Sequence, residues 1–165
     1  MKLKIAWFGK TKEPALQALT EEYLRRIARY APVEGIMLRD EAALLEICGY
    51  ASSAKSSSKK NFLAKHNVFA GAAKSTLVVM DSRGKEFSSE QFAQFLGNYQ
   101  DRNPLPLVFA IGPADGFSEP TRAAAQHSIA LGKMTLPHEL ARVVLLEQVY
   151  RAFTILKGHP YHCGH

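Results

Sequence analysis

The sequence predicts an α/β fold, a mostly parallel sheet flanked by helices, in a single domain spanning residues 1–165. Three observations carry this. Short β-rich runs alternate with helical stretches from the N-terminus onward, and the connections between them are short. Two of the runs, TLVVM at residues 76–80 and LVFAI at 107–111, are continuously apolar, as strands buried on both faces are. The composition, 47% hydrophobic and 22% charged over 165 residues, suits one domain with a sizeable core.

The elements follow in order. Residues 2–8 form a first strand and residues 10–13 a polar turn. Pro14 opens a helix in its favoured first-turn position. Leu16, Leu19, Tyr23, Ile27 and Tyr30 repeat there at helical spacing. Glu21 with Arg25, and Glu22 with Arg26, are expected i,i+4 pairs on its solvent side. A second strand covers residues 33–38 and a short helix 41–48. The serine-rich, basic stretch ASSAKSSSKK at 51–60 reads as a mobile loop, and Phe62, His66 and Phe69 mark a weaker helix. TLVVM is a strand ending at Asp81. Ser88 with Gln91 makes a capping box before a helix carrying Phe92, Phe95, Leu96 and Tyr99. LVFAI follows, then a helix with Ser118 as N-cap and Pro120 in its first turn. Residues 128–131 form a last strand, and a long helix runs from about 139 to 157, with Gly158 as its stop. Leu140, Val143, Val144 and Val149 read as core, while Tyr150 and Phe153 suit either core or a partner chain.

Charge and cysteines bound the function. The formal net charge is +6, which favours an anionic partner, RNA before membrane. Residues 1–66 hold twelve Lys or Arg against seven Asp or Glu; residues 67–165 hold nine against eight. The excess is therefore N-terminal. Cys48 and Cys163 fit no CxxC pattern, consistent with a reducing compartment. No stretch approaches a signal or membrane segment, so a cytoplasmic protein is expected.

In open parallel sheets, ligands bind at the carboxyl ends of strands. Three loops qualify: 80–84, 112–116 and 132–138. They line one crevice if their strands are neighbours. Gly9, Lys10 and Thr11 spell the end of a phosphate-binding loop, but Lys4 stands where its first glycine is needed. GPADG at 112–116 lacks the dinucleotide fingerprint. The terminal HPYHCGH holds three histidines and a cysteine, yet no second cluster completes a metal site, and none is expected. His138 follows Pro137 at a helix N-terminus, where the helix dipole disfavours the imidazolium; a neutral imidazole suits proton handling. Arg142 lies one turn later. Residue by residue, a capping histidine and a surface arginine describe this pair equally well.

TLPHELARVVLLEQVYRAFTILKGHPYH resembles the C-terminal signature of the large-subunit ribosomal RNA pseudouridine N3-methyltransferases, small stand-alone members of the SPOUT class. MKLKIAWFGK, EEYLRRI, VVMDSRGKEFSSEQFA and FAIGPADGFS extend the resemblance over nearly the whole chain; the serine-rich region aligns poorly. The resemblance implies a SPOUT-type α/β knot with a C-terminal trefoil, a homodimer, and an S-adenosyl-L-methionine pocket. For that pocket it implies Met80, Gly112, Leu131, Gly132, Lys133, Met134, Thr135 and Leu136. The implied reaction methylates N3 of a pseudouridine in helix 69 of 23S rRNA within the assembled ribosome, with neither DNA nor membrane as partner. His138 and Tyr161 are expected to orient the base or its proton, Arg142 to offset charge on a carbonyl oxygen, and His162 (or His159) to complete the pocket. Two positions depart from the family: Pro113 stands where it usually has a second glycine, and Cys163 where it tends to place Arg or Lys. A SPOUT enzyme with another RNA target and a non-catalytic ribosome-binding relative are the alternative readings.

Overall fold

Residues 77–80 and 107–111 send alternate side chains to opposite faces of the sheet, and both sets are apolar. The computed structural model describes residues 1–50, 73–113 and 115–162. The serine-rich stretch, the weaker helix expected around Phe62, His66 and Phe69, and Cys163 lie outside the described residues. Five parallel strands, β1 (Leu3–Phe8), β2 (Val33–Leu38), β3 (Thr76–Glu86), β4 (Leu107–Ile111) and β5 (His127–Ala130), form one sheet in the order β2-β1-β4-β3-β5. The helices are α1 (Pro14–Ile27), α2 (Glu41–Ile47), α3 (Ser89–Arg102), α4 (Glu119–Ala124) and α5 (His138–Leu156).

Leu3, Ile5, Val78, Leu107, Phe109 and Ile111 face one layer, packing with Phe92 and Leu96 of α3, Ile27 of α1, and Leu145, Leu146, Val149 and Phe153 of α5. Ala6, Leu77, Val79, Val108 and Ala110 face the other, against Leu44 of α2 and Ala124 of α4. Burial on both sides is why TLVVM and LVFAI read as unbroken apolar runs.

Local chemistry sets most element ends. Glu13 accepts from Ala15 N at 3.4 Å at the start of α1. The capping box forms: Gln91 N donates to Ser88 Oγ at 3.2 Å and Ser88 N to Gln91 Oε1 at 2.9 Å. Ser118 occupies the N-cap of α4 without a capping hydrogen bond; its hydroxyl instead donates to Glu41 Oε2 at 2.6 Å. That bond braces α4 against α2, a tertiary contact that overrides the local cap.

Four expectations change. The Glu21–Arg25 pair does not form: Glu22 takes both Arg25 and Arg26, and Glu21 accepts from Gln17 instead. Leu19 and Leu140 are 43% and 39% exposed rather than core. β3 does not end at Asp81. It leaves the sheet after Met80 and returns at Lys85, both of which pair with Ile129. Gly84 permits the return, since a Cβ there would lie 2.6 Å from the backbone of Ser128 and Ile129. Among the described residues, no helix is long and apolar enough to cross a membrane.

Candidate active site

The sheet order makes β4, β3 and β5 neighbours, so the loops that follow them converge at one edge, as the strand-end rule requires. They enclose a cavity of about 760 Å³, within the range of small-molecule and cofactor sites. Met80, Asp81, Ser82 and Arg83 come from the excursion of β3. Gly112, Pro113, Asp115 and Gly116 follow β4. Leu131, Gly132, Met134, Thr135, Leu136 and Pro137 follow β5, and His138 and Ala141 of α5 close the far side. Gly132 turns the chain at φ 147°, a conformation that side chains rarely permit.

Seven of the eight residues expected to hold a cofactor therefore line one cavity. The eighth, Lys133, is exposed and outside the lining. Asp81 was not singled out from sequence, although it directly follows a buried strand at the strand's carboxyl end. Its carboxylate accepts from the backbone N of Arg83 at 3.0 Å, and from Arg83 Nε and Nη2 at 3.0 and 2.8 Å. Those bonds, the guanidinium's first, outweigh burial and hold the Asp81 carboxyl down at about 2. The cavity wall thus carries a fixed anion bound within its own turn. Arg122, also on the wall, donates to Phe117 O and to Glu119 Oε2.

Of the residues expected to act on the substrate, His138, Arg142 and Tyr161 do not converge within the protomer. His138 is the first residue of α5 and lies on the cavity wall. Arg142 is neither at the surface nor on the cavity wall. Only 1% exposed, it turns toward α1, donating from Nε to Thr20 Oγ1 at 3.0 Å and from Nη2 to Thr11 Oγ1 at 2.8 Å. Its guanidinium sits 4.5 Å over the ring of Trp7. Desolvation lowers its pKa, but a guanidinium keeps its charge regardless.

Tyr161 lies in the 3₁₀ turn after α5, against the middle of that helix. Its hydroxyl donates to Glu147 Oε1 at 3.1 Å, its ring meets Tyr150 edge-on at 4.8 Å, and the Arg151 guanidinium is 5.1 Å from its centroid. Burial first, with Tyr23 and Glu147 adding to it, raises the phenol's pKa well above its usual range. Nine residues separate His138 from Glu147, about 13 Å of helix rise. The backbone of His162 closes the 3₁₀ turn Pro160–His162 beside Tyr161. His159, the alternative to His162, accepts or donates through Nδ1 to Tyr30 Oη at 2.8 Å.

Comparison with known proteins shows the family of the chain. The family described as "Predicted SPOUT methyltransferase" matches residues 1–162. The chain is 48% identical over 165 residues to the ribosomal RNA large subunit methyltransferase H of Koribacter versatilis (strain Ellin345), covering all of both chains. It is 43% identical over 162 residues to the protein of the same name from Geobacter sp. (strain M21), covering 98% of this chain and 99% of that one. A solved structure of a probable methylase family protein from Haemophilus influenzae Rd KW20 superposes with a TM-score of 0.53 at 6% identity. It covers 94% of this chain and 66% of that one, and shares the fold alone.

Proposed function

The chain belongs to the SPOUT methyltransferase family, and from that premise we propose that it methylates large-subunit ribosomal RNA using S-adenosyl-L-methionine. The finer target is N3 of a pseudouridine in helix 69 of 23S rRNA on the assembled ribosome. The observation that carries this reading is the 48% identity to a ribosomal RNA large subunit methyltransferase H over the full length of both chains. The cavity supports it, because three backbone loops and the Asp81 carboxylate meet apolar walls from Met80, Ile111, Leu131 and Leu136. An amphipathic zwitterion with a flat purine fits that donor set. Met80, Gly112 and residues 131–136 are the positions to hold it. When bound, S-adenosyl-L-methionine supplies a methyl group already activated on a sulfonium and leaves as the neutral thioether.

What remains for the protein is alignment and the management of one proton. The N3 lone pair of pseudouridine becomes nucleophilic as its proton departs. His138, exposed at the cavity rim, takes or orients that proton. A base in a single-stranded loop unstacks at modest cost, which lets its Watson-Crick edge reach such a rim. The position of Arg142 favours acting through the chain segments it ties together over direct contact with the base.

Tyr161 rests against Glu147, about 13 Å of helix rise from His138, so Tyr161 and the His162 beside it serve the cavity of a second copy in a homodimer. The exposed Leu19 and Leu140, on helices α1 and α5 that pack together, supply apolar surface for such a partner. The knotted C-terminal path of the family belongs to the same reading. Calorimetric titration with S-adenosyl-L-methionine, then methyl transfer to ribosomes lacking the modification, tests it. Tight cofactor binding with transfer to pseudouridine N3 is expected. Cofactor binding without transfer to ribosomes points to another RNA, and particle binding without cofactor affinity points to a non-catalytic relative.

A further inference from the structure

The segment Gly9, Lys10, Thr11, Lys12, Glu13 connects β1 to α1 and spells the end of a phosphate-binding loop without being one. Its amides explain why it cannot cradle a phosphate. Lys12 N donates to Glu139 Oε1 at 2.9 Å and Glu13 N to Glu139 Oε2 at 3.4 Å. A carboxylate from α5 thus occupies the donors that an anion would use, and those bonds hold the Glu139 carboxyl below its usual range. Arg142 ties down the same loop from inside through Thr11 Oγ1 at 2.8 Å, and anchors α1 through Thr20. The loop is held at both sides by the first two turns of α5, whose His138 lies on the cavity wall.

Lys10 and Lys12 are the side chains this latch leaves outward. Both are exposed, and neither forms an ion pair among the described residues. The carboxylate of Glu13 is turned back to Ala15 N. We propose that Lys10 and Lys12 are the contact for the phosphate backbone of the RNA next to the reacting base, with Glu139 and Arg142 as the positioning residues that hold them at the rim. The inference rests on the RNA-methyltransferase reading above. A latched loop has only lysine side-chain freedom to lose on binding, which keeps the ordering cost small. Ammonium groups on phosphates give affinity without sequence selection.

The test measures binding of unmethylated assembled ribosomes to the wild type and to the double variant Lys10→Ala, Lys12→Ala from 50 to 200 mM salt, alongside calorimetry with S-adenosyl-L-methionine. Two lost phosphate contacts flatten the slope of log affinity against log salt by about 1.4 for single-stranded RNA, so the affinity drop across that range shrinks about sevenfold. Cofactor affinity stays within about twofold, because neither lysine lines the cavity. The pair Lys10→Arg, Lys12→Arg retains the wild-type slope, and Glu139→Ala, which frees the loop, weakens ribosome binding without changing the slope as far. A double alanine variant with the wild-type slope overturns this proposal alone. A wild type that neither binds nor methylates the ribosomes overturns the functional reading and this proposal together.

Discussion

The strand-end cavity and the tail-bearing half of α5 are built by different means. Backbone makes the cavity: three turns, the close packing of Gly84 on β5, and an anion, Asp81, satisfied within its own loop. Side chains make the tail face. Glu147 accepts from Arg151, Tyr161 and Gln148, and Tyr23, Tyr30 and Tyr161 pack tilted or edge-on against Tyr150. The first region is tolerant of side-chain identity and intolerant of added volume. The second is the reverse. A cofactor shared by a whole family suits the former, and a surface that must meet a partner or a substrate suits the latter.

The sharpest way to break this division is complementation. If Tyr161 serves the partner's cavity, His138→Ala and Tyr161→Ala are each nearly inactive alone. Mixed and reassembled, they recover about a quarter of wild-type activity, since half the dimers are mixed and each holds one intact site. No recovery would place both residues in one protomer's site. His138→Ala by itself should lower the transfer rate about 100-fold or more, the usual scale for a lost acid-base group. Its cofactor affinity, read by calorimetry, should hardly move.

Gly84→Ala addresses the other region. Its Cβ meets backbone that cannot swing aside, so thermal or urea unfolding should show a loss of about 2 kcal/mol, with cofactor binding weakened in step. Glu147→Ala should cost about 1–2 kcal/mol through its lost charged hydrogen bonds, and should impair transfer to ribosomes while leaving cofactor binding intact. An equal loss of both would erase the distinction between the two regions.

The smallest effect is acid sensitivity. Asp81 has its folded pKa depressed to about 2 from an ordinary value near 3.8. Its contribution is therefore present above pH 4 and lost as pH falls toward 2. Because the partner Arg83 is well exposed, solvent screening limits this to about 1 kcal/mol. Asp81→Asn should flatten the stability profile across that window, measured by unfolding at stepped pH.

Local pattern was readable wherever one element's own residues decide it. The capping box at Ser88, the strand 107–111 and the stop near Gly158 needed no tertiary knowledge. The three ligand loops were readable too, conditional on neighbouring strands. Arg142 was not: helical spacing puts it beside His138 in sequence, but its long side chain follows Thr11 and Thr20 into the α1–α5 contact. Leu19 and Leu140 misled because apolar periodicity reports a buried face without saying what buries it. Asp81 carried no motif beyond its place after a strand.

Taken alone, the sequence determined the α/β class, nearly every helix and strand, and the loops that line the strand-end cavity. Side-chain period, caps and turn residues act over a few positions and are written there directly. Only the tertiary structure decided that β4, β3 and β5 lie side by side, that Arg142 is buried against Trp7, and that Tyr161 stands two to three turns of α5 from His138. Those outcomes depend on strand order and helix packing, where residues far apart in the chain compete for the same neighbours, and no local pattern records which of them wins.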